Sequence, residues 1–172
     1  LREVSLALTA ELLVMAGLSE NTDQGRRKAE NVLASGKALE HFACMIREQG
    51  GNPEVVENPR LLPQADIKFD LPAPEEGYIQ FRDTKEIGNA AMILGAGRAQ
   101  KTDSVDPAVG IWLLKRHGDW VEKGEPVAAF YANDTRKLEE ARERFSYTLE
   151  IQNEKPKELH LIKSVIQPNR TK

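Results

Sequence analysis

Two tight turns in close succession, each flanked by apolar residues, constrain this chain more than any other stretch. The apolar run Val109 to Lys115 leads into Gly118-Asp119, and a second turn, Lys123-Gly124-Glu125-Pro126, leads into the apolar run Val127 to Tyr131. Such turns pin strand register, because a slip of one residue would send every side chain to the opposite face. Just upstream, Ile87 to Leu94 reads as a short apolar helix stopped by Gly95 and Gly97, both able to take positive φ at little cost. Between that helix and the first strand lies a charged, glycine-rich loop holding Arg98, Lys101, Asp103 and Asp106. Packing alone does not account for these four charges. A surface ion-pair network is one reading of them.

The rest of the chain supplies two kinds of element. Leu1 to Leu18 reads as a helix whose polar stripe is confined mainly to Arg2, Ser5 and Thr9, with Val4, Leu6, Leu8, Leu12, Leu13, Val14 and Met15 around the remainder. A helix apolar nearly all round is buried on most sides, yet this one is too charged and too short to span a membrane. Little that follows could cover it, so a packing partner outside the chain is expected. Asn21-Thr22-Asp23 caps a second helix, Gln24 to Ala34, with Ala29, Val32 and Leu33 inward. A third, Lys37 to Gln49, carries Leu39, Phe42, Ala43 and Ile46 inward and ends at Gly50-Gly51. From Gln64 the pattern alternates. Ile67, Phe69 and Leu71 mark one strand and Gly77 to Arg82 a second. Asn133-Asp134-Thr135 caps a last helix, Arg136 to Tyr147, with Leu138, Ala141 and Phe145 inward. Its outer face offers Arg136–Glu140 and Glu140–Arg144 pairs worth ~0.3–0.5 kcal/mol each. Thr148 to Ile151 and Leu159 to Ile166 read as closing strands, and Gln167 to Lys172 as a frayed tail.

Several function classes fall away. Among 172 residues, 40% are hydrophobic and 30% charged, as in globular rather than disordered chains. The net charge of −3 gives no electrostatic case for nucleic acid or an anionic membrane surface. A lone cysteine, Cys44, excludes an internal disulfide and fits a reducing cytoplasm. No secretory signal is visible, and the opening leucine suggests a fragment or a trimmed product. Gly95-Ala96-Gly97-Arg98 is no dinucleotide fingerprint, since its glycines follow a helix instead of preceding one, and no Walker loop is present. His41 and Cys44 have no further ligands beside them, and His117 and His160 have no visible partners. No nucleophile elbow, metal cluster or paired-carboxylate constellation stands out. Trp112 and Trp120 are expected to pack on each other or on the sheet. The Gly118 to Pro126 hairpin looks like those of biotinyl and lipoyl carrier domains, but no Met-Lys pair is present to carry a swinging arm.

The order GAGRAQKTDSVDPAVGI then GDWVEKGEPVAAFYAN, preceded by LREVSLALTAELLVMAGL, SGKALEHFACMIREQGG and LLPQA, resembles the C-terminal part of the pyrimidine-nucleoside phosphorylases, the family that includes thymidine phosphorylase. The resemblance covers nearly the whole chain. It implies an α+β fold: residues 1–63 as a helical remnant of a larger central α/β domain, and residues 64–172 as a mixed β-sheet domain with hammerhead-like hairpins and two helices. It implies a parent pentosyltransferase in which phosphate attacks uridine or thymidine to give free base and (deoxy)ribose 1-phosphate. The parent is implied to be a cytoplasmic homodimer whose partners are pyrimidine nucleoside and phosphate, with no nucleic acid or membrane, and no cofactor or metal is implied for this chain. The family's phosphate-binding, base-binding and cation-binding motifs have no counterpart here, so no catalytic or substrate-binding residue is assigned and the chain alone is expected to be inactive. For Gly95, Gly97, Arg98, Lys101, Asp103 and Asp106 the resemblance implies a loop that helps the domains close over substrate. Two alternatives stay open: a stand-alone, non-catalytic binding or interaction module sharing the fold, and part of a phosphorylase acting on nucleoside monophosphates.

Overall fold

The structure, a computed structural model, describes residues 1–157 and 160–166. The chain divides into two compact units, Leu1–Leu61 with the stretch from Leu159 on, and Leu62–Glu158.

The first unit is helical. Helix α1, Arg2–Met15, packs against α2, Thr22–Ala34, and α3, Lys37–Glu48, follows. Asn21 caps α2 as expected, its Oδ1 accepting the Gln24 N–H at 2.9 Å. Gly25 sets how closely α1 and α2 approach: a Cβ there would lie 2.8 Å from the Ala10 carbonyl oxygen. The Arg26 guanidinium clamps the pair from outside, donating two 2.7 Å bonds to the Glu3 carboxylate. Burial, however, stops at that seam. Leu6, Ala10 and Ala29 are buried, whereas Leu8, Leu12 and Met15 on the opposite face of α1 are 61%, 62% and 81% exposed. Val32, Leu33, Leu39 and Phe42 are exposed too, so of the inward faces expected for α2 and α3 only Ala29 is buried, with Ala43 and Ile46 half-buried. The apolar pattern is there, but no layer lies against it. The last stretch, read as a strand, has no strand in residues 160–166; Leu159 and the expected tail 167–172 lie outside the described residues.

The second unit is α+β. Strand β1, Ile67–Pro72, β2, Gly77–Phe81, and helix α4, Thr84–Ala91, come first. After the charged loop come β3, Gly110–Leu113, β4, Trp120–Val121, β5, Pro126–Ala132, α5, Thr135–Ser146, and β6, Leu149–Gln152. The class is the one expected, but the strands do not form one mixed sheet. They make two three-stranded antiparallel sheets, ordered β1-β5-β3 and β4-β2-β6. The turn at Gly118 explains the split: its N–H donates to the Ile79 carbonyl at 2.7 Å, so the chain leaving β3 crosses onto β2.

Helices α4 and α5 cover the first sheet. Leu138, Ala141 and Phe145 point inward as the helical period predicts, meeting Phe130, Ala90 and Leu94. Phe145 is fully buried and meets Phe130 and Phe81 edge-on, at centroid distances of 5.4 and 5.9 Å. A second cluster, Ala73, Ile79, Val121 and Val127, fills the other sheet. The expected Arg136–Glu140 and Glu140–Arg144 pairs are not among the described contacts. Arg144 instead pairs with Glu86 of α4, and Arg142 with Glu139 at 2.6 Å. A tertiary partner thus displaces the local one. Trp120 lies edge-on to Tyr78, 5.0 Å between centroids, while Trp112 is 66% exposed. No helix among the described residues is long and apolar enough to cross a membrane.

Candidate functional site

The loop from Gly95 to Val109 is built by the elements at its two ends. Asp83 starts α4, its Oδ1 accepting the Lys85 N–H at 2.8 Å, and the helix widens at its end into the turn Met92–Ala96. Gly95 reverses the chain with φ of 110°, which disfavours any residue with a Cβ even though the space around it is adequate. Gly97 departs from expectation: its φ of −148° is extended backbone open to any residue. At the far end, buried Val109 enters the core and leads into β3.

Within the loop the two acids do structural work. Asp103 Oδ2 accepts the N–H groups of Ala99 and Gln100, at 3.1 and 2.8 Å, and so folds the tip upon itself. The Asp106 N–H closes the base by donating to the Gly95 carbonyl at 3.0 Å, and its Oδ1 accepts the Ala108 N–H at 2.9 Å. Asp106 Oδ2 accepts from Asn133 Nδ2 at 2.8 Å. The ion-pair network that is one reading of the four charges is therefore not formed among the described residues. Both carboxylates face amides, while Arg98 and Lys101 are exposed and make no salt bridge among the described residues. The result is an acid-braced tip presenting two cations.

The neighbouring hairpin is secured by its own ion pair, Lys115 with Glu125. Hydrogen bonding from Lys115, and then from the Glu122 N–H, holds the Glu125 carboxyl below its ordinary range. His41 and Cys44 are exposed on α3. Among the described residues no three His, Cys, Asp or Glu side chains gather to hold a metal ion. Asn133 is the residue that reading the sequence missed. It looks like part of a helix cap, and its loop partner lies 27 positions away, beyond any local rule.

Comparison with known proteins places these features. The pyrimidine nucleoside phosphorylase C-terminal domain family matches residues 78–152, a span that contains the loop, the hairpin and α5. The pyrimidine-nucleoside phosphorylase of Bacillus subtilis (strain 168) is 47% identical over 133 residues, 77% of this chain and 31% of that protein. That of Staphylococcus aureus (strain USA300) is 39% identical over the same length. That of Staphylococcus epidermidis is 35% identical over 164 residues, 94% of this chain and 38% of that protein. The chain thus spans about a third of the length of the curated relatives it matches.

Proposed function

Because this chain belongs to the pyrimidine-nucleoside phosphorylases, matching their C-terminal portion, we propose that it serves the reversible phosphorolysis of uridine or thymidine as the closing part of a larger enzyme. Residues 1–63 take the role of the last helices of a central α/β domain and residues 64–172 that of the C-terminal domain. Phosphate is co-substrate, attacking the anomeric carbon as the bond to the base breaks, and the chain contributes no cofactor. An oxocarbenium-like transition state gains from exclusion of water and from fixed positive charge near the attacking anion.

The observation that carries this reading is the loop tip, where Asp103 and Asp106 are taken up by backbone and amide donors and Arg98 and Lys101 pair with no carboxylate among the described residues. Such a tip suits charge contacts made across a cleft on closure, with no group of its own at the reacting atoms. The exposed face of α1 supports the same reading, since an apolar stripe this long is suited to burial against another layer. A dimer and a cytoplasmic setting belong to the reading as well. The test is a phosphorolysis assay on the full-length protein with Arg98→Ala and Lys101→Ala combined. We expect kcat/KM to fall about tenfold or more, ~1.4 kcal/mol of barrier, with an unchanged melting temperature. The purified 172-residue chain should release no base from either nucleoside. An unchanged kcat/KM in the double variant removes the closure role; turnover by the isolated chain removes the division of labour.

A further inference from the structure

Asn133 sits at the corner between β5 and α5, one residue before the Asp134 that caps the helix. Its two amide ends face different partners. Nδ2 donates to Asp106 Oδ2 at 2.8 Å, at the base of the charged loop. Oδ1 accepts the Asp66 N–H at 2.8 Å, 67 positions away. Chemistry fixes this orientation: a carboxylate needs a donor and a backbone N–H needs an acceptor, so a flipped amide would lose both bonds. Ile67 pairs with Ala132 as the outermost rung of the β1–β5 ladder, and the Asn133 side chain supplies the next rung in place of backbone. Asp66 lies just beyond the start of the second unit at Leu62, on the stretch by which the chain enters β1.

One side chain therefore holds both the entry of the chain into this unit and the base of the loop that presents Arg98 and Lys101. We infer that Asn133 is a positioning residue for closure, fixing the two cations of the loop relative to the crossing segment 62–66. This rests on the closure role proposed above. Asp66, Asn133 and Asp106 thus link the segment entering β1 to the loop base, beyond which Asp103 keeps the tip folded. No contact with substrate is required of Asn133.

The near-isosteric change Asn133→Asp separates the two bonds. A carboxylate still accepts from the Asp66 N–H, but it confronts the Asp106 carboxylate and loses that bond. In the full-length protein we expect Asn133→Asp to lower kcat/KM for thymidine phosphorolysis by about 2- to 30-fold. In the combined Arg98→Ala, Lys101→Ala background it should lower it less than about twofold, because there is nothing left to position. An equal loss in both backgrounds overturns the proposal, since a merely structural residue would act in each. Asp106→Asn is a second variant that keeps an acceptor at this site and should show the same non-additivity more weakly. Hydrogen exchange on the 172-residue chain separates the proposal from its premise. Asn133→Asp should expose the Asp106 and Ala108 amides about tenfold while the Asp66 amide stays protected. If those amides do not respond, the latch is refuted; if they respond and the Arg98→Ala, Lys101→Ala enzyme is fully active, the closure role is what fails.

Discussion

Residues 62–157 close a core around Phe145, whereas residues 1–61 bury little beyond Leu6, Ala10 and Ala29 at one helix seam. Both stretches are rich in apolar residues at helical spacing, so the difference lies in what opposes them. In the second unit two helices lie over a sheet, and each inward residue finds a facing layer. In the first, α1 has α2 on one side and Leu8, Leu12 and Met15 in the open on the other. A trough of about 710 Å³ between α1 and α2, lined by Leu6, Leu13, Val32 and Leu33, belongs to the same unfinished surface. Amphipathic periodicity reports that a face must be covered. It does not report by which chain segment.

The sharpest way to break this contrast is to cut into the closed core. Phe145→Ala removes a ring held between Phe130 and Phe81 and should destabilise the second unit by about 3–5 kcal/mol. Both tryptophans, Trp112 and Trp120, lie in that unit, so urea unfolding followed by their fluorescence reads it selectively. Circular dichroism at the helix band weights α1, α2 and α3 more heavily. A midpoint shift seen by fluorescence and equally by circular dichroism would show that the units unfold as one.

Leu12→Ala tests the open face. In the 172-residue chain it should change stability by no more than about 0.5 kcal/mol, as for an exposed site. In the full-length protein, if another layer covers α1, the same change should cost about 2–5 kcal/mol. Equal small effects in both would leave the stripe uncovered and the contrast between the units permanent. A smaller and purely local effect is expected from Asp134→Ala. Asp134 Oδ1 accepts the Arg136 and Lys137 N–H groups, and losing that cap should cost ~1 kcal/mol in the fluorescence-detected transition alone.

What the sequence discloses follows the range of the forces involved. The α5 stripe, the Asn21 and Asp134 caps and the β1 alternation are local, and each is found where the pattern puts it. The turns at Gly118 and Gly124 are local as well, with φ of 86° and 84°. Yet the two-sheet split is not legible, because the Gly118 to Ile79 bond joins segments that nothing in the sequence brings together. Arg144 shows the same limit in electrostatics: helical spacing offers Glu140, but α4 brings Glu86 closer. At the site, the Gly95 reversal and the exposed cations were readable. The division of labour was not, because Asp103 and Asp106 look like ion-pair partners until the amides they accept from are placed. Asn133 is hidden for that reason too.

Acid gives the smallest effect and a last comparison. In the second unit Glu86, Glu125, Asp134 and Glu150 are all held below their ordinary values. The leading causes are hydrogen bonds from Arg144, from Lys115, from the Lys137 N–H and from Arg82 respectively. In the first unit only Glu3, bonded to Arg26, is displaced in the same way among the described carboxylates. A carboxylate whose folded pKa is depressed stabilises the fold fully above its unfolded value. That contribution is lost as pH falls through the lower folded value, when the group takes up a proton in both states. The window therefore opens near the ordinary values of 4.5 for Glu and 3.8 for Asp and extends below them. All five groups are solvent-accessible, so the effect is modest and salt weakens it. Between pH 5 and pH 3 the urea midpoint read by tryptophan fluorescence should fall more than the helix-band midpoint, and 1 M salt should narrow the gap. A steeper fall in the helix band would mean that the Glu3–Arg26 clamp, and not the larger set, governs acid stability, which is what a first unit with so small a core would need if it stands on its own.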